Sequence, residues 1–392
     1  GMAGLAETSG PAGDDFWSWR EVMYRFVDRL APEDVEAIGA LAYAEMLESG
    51  FTRVGEFHYL HHDAGGRPYA DPAEMAVRIA AAADATGIGL TLLPVFYAHA
   101  GFGGAAPKGE QRRFISTLGG FARLVAGARR AAGALPDAVV GVAPHSLRAV
   151  TPEELGSIAP LAEGGPVHIH VAEQIREVDE CLAWSGARPV DWLLDHAKVE
   201  ERWCLVHATH ASDSELDRIA AAGAIVGLCP ITEANLGDGV FPAARFLAAG
   251  GRFSVGTDSN VMIDAAEELR LLEYGQRLAR RRRNLLAGAA RASTGRALFD
   301  AAVAGGARAL GVSAVGIAVG APADIVGLDA GHPSLAGRSG DALLDSWIFA
   351  ARGGAVDAVW RRGRKVVVGG RHVSKGAILA AYRRRLEPLL TV

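Results

Sequence analysis

Seven short apolar runs alternate with longer helical stretches between residues 51 and 259, and this alternation most constrains the fold. The runs are almost continuously hydrophobic, as are strands buried on both faces of a parallel sheet. The intervening stretches have helical periodicity, with Asp or Ser at the start and Gly at the end. The runs are 51–57, 89–96, 138–145, 167–173, 203–209, 224–230 and 253–259. The alternation predicts an α/β fold with parallel strands.

The number of apolar runs indicates whether the parallel sheet can close into a barrel. A closed (β/α)8 barrel of the TIM type needs eight strands, and the residues before Phe51 are helical in character. We therefore predict a TIM-type barrel that is missing its first strand, with strands two to eight within residues 1–310. The first strand is expected upstream of Met2, and a late start site or trimming would account for its absence.

The character of the sequence changes after residue 310. Short Gly-rich runs predict short strands with tight turns, so residues 311–372 are expected to form a small β-domain. Within it, a hairpin is predicted to turn at Arg362–Gly363. Residues 373–392 are predicted to form a C-terminal helix.

Composition limits the partners of the protein. Of the 392 residues 50% are hydrophobic and 22% are charged, and the net charge is -5. This balance gives no reason to expect nucleic acid or an anionic membrane as a partner, and no apolar run approaches the roughly 20 residues that span a bilayer. The three cysteines are too few for a disulfide framework, and Cys204 and Cys229 are expected to be buried thiols. We therefore expect a cytoplasmic protein.

Metal-competent side chains follow at least four of the seven predicted strands, and in such barrels the carboxyl ends of the strands meet at one mouth. Imidazole and carboxylate groups are ligands of catalytic Zn²⁺, which lowers the pKa of bound water toward roughly 7. One such histidine alone is more often structural, so the prediction of a metal site depends on the whole set. The set is Glu56, His58, Tyr59, His61, His62, His145, Arg148, His168, His170, Glu173, His207, His210 and Asp258.

Two carboxylates of this set have specific predicted roles. Glu173 follows His170 by three residues in HVAE, so His170 can bind a metal while Glu173 acts as general acid and base. Asp258 directly follows a strand in GTDS and is predicted to be a metal ligand. Taken alone, either carboxylate is also compatible with capping the helix that follows it.

Several of these segments, in this order, resemble a known family. HIHVAEQ (168–174), LVHATH (205–210) and GTDSN (256–260) are similar to the deaminase branch of the amidohydrolase superfamily. VGEFHYLHHD (54–63) and APHSLRAV (143–150) resemble more narrowly the formimidoylglutamate (N-formimino-L-glutamate) deiminases of bacterial histidine degradation. The similarity extends over essentially the whole chain, and it implies that residues 311–372 are an incomplete amidohydrolase β-sandwich.

The resemblance implies one divalent metal, usually Zn²⁺, and assigns the groups around it. Its ligands would be His170, Asp258 and a His-x-His on the first strand. Glu173 corresponds to the carboxylate that moves protons, and His207 to the histidine that polarises the attacked carbon or the hydroxide. Asp258 would also accept a proton from the nucleophilic water.

The resemblance also implies contacts to a small dicarboxylate amidine substrate. Arg148 corresponds to a residue that grips the substrate carboxylate, and Arg20 and Tyr59 to further contacts, while His145 is expected to line the same pocket. His168 is expected to be structural. Guanidinium groups bind carboxylates bidentately, which suits a glutamate-derived substrate. The implied reaction is hydrolysis of N-formimino-L-glutamate to N-formyl-L-glutamate and ammonia.

Two other functions stay open at this stage. One is a related deaminase that acts on a purine-type heterocycle, although a neutral base would not need Arg148 and Arg20. The other is a non-catalytic binding protein that keeps the barrel but has lost the metal. A homodimer is compatible with the resemblance, since many barrels of this superfamily are dimers, but the sequence itself shows no interface.

The metal content of the polypeptide can be predicted from its ligands. The His-x-His is expected upstream of Met2, which leaves His170 and Asp258, and catalytic zinc sites usually have three or more protein ligands. We therefore predict that the 392-residue chain is metal-poor and weakly active or inactive. Atomic absorption on gel-filtered protein should find far less than one zinc per chain. A zinc content near one tightly bound ion per chain would contradict this prediction.

Overall fold

Parallel strands form a barrel, as the alternation of apolar and helical segments predicts. The computed structural model describes residues 4, 7, 23–288, 292–313 and 316–390. The strands of the barrel are β1 (Arg53–His58), β2 (Gly89–Phe96), β3 (Val139–Val140), β4 (Ala143–Pro144), β5 (Val167–Val171), β6 (Trp203–His207), β7 (Ile225–Leu228) and β8 (Arg252–Val255). Both β3 and β4 pair with β2, so they are two parts of one interrupted strand.

The strands follow one another around the barrel in sequence order. Two four-stranded parallel sheets, β1 to β4 and β5 to β8, are joined by parallel bridges from Val142 to Val167 and from Ser146 to His170. Within the described residues, no pairing joins β8 back to β1. The prediction of a TIM-type barrel that is short of one strand is therefore confirmed for this part of the chain.

Helices cover the outside of the barrel. They are α1 (Pro32–Ser49), α2 (Glu74–Thr86), α3 (Leu118–Ala132), α4 (Pro152–Ile158), α5 (Ile175–Ser185), α6 (Pro189–His196), α7 (Asp213–Ala222), α8 (Pro230–Leu236), α9 (Ala243–Ala248), α10 (Ala265–Arg280) and α11 (Thr294–Ala309). The polar start and Gly end that the sequence suggested are clear in α7, where Ser212 caps the first turn and Gly223 ends the helix in a left-handed conformation. Every residue of β2 is buried, so both faces of this strand are covered.

A small antiparallel sheet follows the barrel. Its strands are β9 (Ile325–Leu328), β10 (Val356–Arg361), β11 (Arg364–Val368) and β12 (Arg371–His372). The hairpin predicted at Arg362–Gly363 is confirmed, because both residues have positive φ, 49° and 80°, as a type I′ turn requires. The sequence did not predict the helix α12 (Asp341–Phe349) between β9 and β10, and α13 (Lys375–Leu390) ends the described chain. The domain boundaries stay a prediction.

Partly buried ion pairs connect the small sheet to the bottom of the barrel. Asp137 lies in the loop before β3, and its Oδ2 is 2.7 Å from both Arg53 Nη2 of β1 and Arg361 Nη2 of β10. Arg361 also pairs with Asp324, just before β9. Because the Arg361 side chain is only 4% exposed, these pairs are protected from screening by solvent.

Two expectations from composition can be compared with the structure. The three cysteines are free and buried, as predicted for Cys204 and Cys229, and burial raises the pKa of the Cys204 thiol to about 12. None of the helices in the described part of the chain combines the length and apolar character that crossing a bilayer requires.

The contact between α11 and β8 leads to a prediction about two adjacent glycines. A Cβ on Gly305 would lie 1.7 Å from the Phe253 carbonyl oxygen of β8, whereas a Cβ on Gly306 would meet no described atom within 4 Å. Gly305→Ala should therefore force α11 away from the barrel and destabilise the protein by about 3 kcal/mol. Gly306→Ala, the matched control, should stabilise it by up to about 1 kcal/mol, because Ala favours the helix.

Chemical denaturation of both variants checks this prediction. Equal stabilities for the two alanine variants would contradict the close contact at Gly305.

Candidate active site

The carboxyl ends of the strands carry side chains on an unusual backbone. His207 at the end of β6 has a φ of 67°, and Asp258 after β8 has a φ of 43°. Ala172 after β5 and Ala208 after β6 also have positive φ, 52° and 49°. Residues with a Cβ seldom adopt this region unless the surrounding structure imposes it, and such residues cluster at functional sites.

These strand ends border a cavity of about 760 Å³. It extends from the mouth into the interior of the barrel, where Ala309 and Leu310 at the end of α11 also line it. Eight residues that were predicted from the sequence are among its lining: Glu56, Tyr59, His145, Arg148, His168, His170, Glu173 and Asp258. A concave site of this size with a few polar groups suits a small molecule.

The buried His207 lies among three carboxylates, of which those of Glu173 and Glu233 are also buried. Its ring is fully buried, its Nδ1 is 3.2 Å from Glu233 Oε1, and its Nε2 is 3.7 Å from Glu173 Oε1 and 3.8 Å from Asp258 Oδ2. Burial alone would lower the pKa of His207, but Glu173 and Glu233 raise it to about 10. When all three carboxylates are ionised, they therefore stabilise the protonated, cationic form of the ring.

His170 presents one nitrogen to the cavity. Its Nδ1 is 3.0 Å from the His145 carbonyl oxygen, to which it can only donate, so its Nε2 keeps a lone pair. The ring stacks on that of His207 with centroids 5.4 Å apart and packs edge-on against Phe57. Burial lowers the pKa of His170 to about 4, which keeps it neutral. A neutral imidazole with its second nitrogen bound to a carbonyl is the usual form of a metal-ligating histidine.

Glu173 lies between His207 and Arg148. Its Oε2 is 3.9 Å from Arg148 Nη2, which is also 3.7 Å from Glu177 Oε2. Glu177 accepts hydrogen bonds from the backbone N–H groups of Ala172 and Glu173, and so fixes the turn after β5. Arg148 Nε is buried without a hydrogen-bond partner in the described part of the chain. A cation that is already desolvated and incompletely paired can accept a further anion at low cost.

The donor groups can be compared with the needs of a catalytic metal. His170 Nε2 and the Asp258 carboxylate, whose side chain is 34% exposed, are suitable ligands at the same mouth. Across the ranges that the structure describes, however, no group of three or more His, Cys, Asp or Glu side chains is arranged to hold a metal ion. The described residues therefore offer two donor groups, His170 and Asp258, of the kinds that catalytic zinc accepts.

The remaining candidate residues have other partners, and Glu56 and His168 among them also line the cavity. The described cavity lining does not include His58, His61 or His62, and His61 Nε2 and His62 Nε2 each lie 2.8 Å from a backbone carbonyl oxygen, that of Val95 or Ile115. They do not join the His170 group. His168 and His210 form hydrogen bonds to the carbonyl oxygens of Ala309 and Asp238, respectively, as histidines with a structural role do. Glu56 accepts a hydrogen bond from Tyr43 of α1. Arg20 lies outside the described residues.

Three buried acidic residues at this end of the barrel were not singled out from the sequence. They are Glu177 in α5, Glu233 in α8 and Asp238 after α8, each at most 4% exposed. Burial and the nearby Glu173 raise the pKa of Asp238 to about 8. Glu177 and Glu233 each follow a strand end by a few residues, and this spacing was the one signal that could have suggested them.

A further buried acid, Glu268 in α10, supports the helix that carries Glu233. Its Oε2 accepts the Ile231 N–H at 3.0 Å, while its Oε1 is buried without a partner among the described groups. Burial raises the pKa of Glu268 to about 9 in the folded protein, whereas an unfolded glutamate titrates at roughly 4.3. Its contribution to stability is thus complete below the unfolded pKa and is lost as the pH rises toward 9.

Glu268→Gln should remove the loss of stability at high pH, because glutamine cannot ionise and its side-chain oxygen still accepts the hydrogen bond from the Ile231 N–H. Near pH 5 we expect the variant to unfold at the temperature of the parent or below it. At pH 8.5 we expect it to unfold about 3 °C above the parent. Calorimetry at both pH values checks this, with Glu153→Gln on the exposed surface of α4 as the control. A difference between variant and parent that does not change with pH would contradict the assignment.

Comparison with known proteins gives independent information. The model of the amidohydrolase family matches residues 5–366. Formimidoylglutamate deiminase of Pseudomonas aeruginosa is 52% identical over 392 residues, which cover 99% of this chain and 86% of that protein.

Solved structures agree with the sequence relatives. The crystal structure of an amidohydrolase from Brucella melitensis superposes with a TM-score of 0.96 and 58% identity, covering 100% of this chain and 86% of that one. An adenosine deaminase from Xanthomonas campestris with bound zinc superposes with a TM-score of 0.79 and 25% identity, covering 99% of this chain and 82% of that one.

Proposed function

The chain belongs to the amidohydrolase family, and on that premise we propose that it hydrolyses N-formimino-L-glutamate to N-formyl-L-glutamate and ammonia. The 52% identity to a formimidoylglutamate deiminase over 99% of the chain supports this substrate. The observation that carries the proposal is Arg148, which is 11% exposed, has a buried Nε without a partner in the described part of the chain, and lines the same cavity as His170, Glu173 and Asp258. A neutral purine offers no anion to such a group, whereas glutamate derivatives offer two.

In the proposed reaction the substrate is held by its carboxylates. Arg148 binds one of them bidentately, and Arg20 and Tyr59 are proposed to make further contacts. His145, whose ring packs against that of Tyr59 with centroids 5.6 Å apart, borders the same pocket. With the carboxylate on Arg148, the formimino group would extend toward Glu173 and Asp258.

The metal is proposed to be Zn²⁺, with His170 and Asp258 as two of its ligands. When bound, it would supply a water molecule of lowered pKa. With such a water in place, its oxygen would bond to the amidine carbon while Asp258 took one proton from it and His207 polarised the C=N group. The second proton would leave this oxygen as the C=O group formed. Glu173 would relay both protons to the departing nitrogen, so that the C–N bond breaks, ammonia leaves and both carboxylates are ionised again. The C=O group of N-formyl-L-glutamate replaces the C=N group.

The function is tested by ammonia release with zinc supplied in excess, because the described residues offer two ligands. We expect release from N-formimino-L-glutamate and none from adenosine or guanine. Release from a purine alone, or from neither class while zinc is bound, would exclude the proposal.

Arg148→Met tests the role of the arginine. Removing the cation should lower kcat/KM for N-formimino-L-glutamate by about 100-fold, because the substrate carboxylate would enter the cavity without a partner. Arg123→Met on the exposed surface of α3 is the control and should leave kcat/KM unchanged. An Arg148→Met variant with the kcat/KM of the parent would show that this arginine does not bind the substrate.

A further inference from the structure

The two nitrogens of His207 have different surroundings. Nδ1 faces Glu233 Oε1 at 3.2 Å, at the back of the site. Nε2 has no hydrogen-bond partner within the described residues and faces Glu173 and Asp258 at 3.7 and 3.8 Å. The imidazole therefore has one anchored side and one side directed to the proposed reacting groups.

Glu233 is itself held firmly in place. It is 4% exposed, its Oε1 accepts the Cys229 N–H at 3.0 Å, and its own N–H donates to the Cys229 carbonyl oxygen at 2.8 Å. An ionised carboxylate only accepts hydrogen bonds. The contact with His207 therefore requires a proton on Nδ1, whatever the state of Nε2.

We propose that Glu233 is a positioning residue that fixes the proton on Nδ1 of His207 and aims Nε2 at the substrate. The inference rests on the proposed function, in which His207 polarises the attacked C=N group. The φ of His207, 67°, lies in the left-handed region, which persists only where surrounding contacts impose it, and the contact with Glu233 is one of these. A carboxylate that fixes the tautomer of a catalytic histidine has a large effect in other hydrolases.

The first experiment detects the contact without requiring activity. In the 392-residue chain labelled with ¹⁵N-histidine, the buried Nδ1–H of His207 should give a resonance far downfield, assigned by its loss in His207→Gln. It should persist in Glu233→Gln, because the amide oxygen can accept from both Cys229 and His207. It should disappear in Glu233→Ala and persist in Ala234→Gln, the exposed neighbour on α8. A resonance that persists in Glu233→Ala overturns the proposal.

The second experiment measures kinetics with N-formimino-L-glutamate and excess zinc. Glu233→Ala should lower kcat by about 1000-fold with KM changed by less than about threefold, and Glu233→Gln should lower kcat by about tenfold. In a His207→Gln background, Glu233→Ala should cause no further loss, because Glu233 acts through the imidazole. An equal further loss in that background overturns the positioning role. If Glu233→Ala does not fold, Glu233→Gln is used in the same cycle.

Failure of this inference and failure of the proposed function give different results. A His207 resonance that is independent of Glu233, in a chain that releases ammonia, overturns the inference alone. A resonance that depends on Glu233, in a zinc-loaded chain that releases no ammonia, upholds the anchoring contact and overturns the function.

Discussion

The mouth of the barrel is organised by the attraction between the buried imidazole of His207 and three carboxylates. Glu173, Glu233 and Asp258 follow three different strands, β5, β7 and β8, and all of them approach the ring of His207 on β6. Desolvated like charges repel one another strongly, so the buried Glu173 and Glu233 can share this space only around a cation or by keeping protons. The arrangement connects neighbouring strand ends through charge as well as through backbone hydrogen bonds.

The barrel could be predicted because buried parallel strands have a simple sequence signature. The run at 89–96 is apolar except for Thr91, and all of β2 is buried. The strand-end rule likewise brought His170, Glu173, His207 and Asp258 into one group, since each follows an apolar run. It also selected His58, His61 and His62, because the rule does not say whether a side chain points into the barrel or toward the loops outside it.

The supporting acids could not be predicted in the same way. Glu177 and Glu233 lie in the first turn of a helix, where acidic residues are common for electrostatic reasons and are usually exposed. Their burial results from how α5 and α8 pack over the strand ends, which is a property of the whole barrel. The helix α12 was missed for a related reason, since its nine residues are too few to show a clear period within a Gly-rich segment.

The ion pairs of Asp137 have a consequence for how the protein loses its structure. Arg53 of the barrel and Arg361 of the small sheet share one carboxylate. Pulling the sheet away would break the pair between Asp137 and Arg361, whereas Asp137 would keep Arg53 and Arg361 would keep Asp324. This shared carboxylate therefore opposes separation of the sheet from the barrel and couples the unfolding of the two regions.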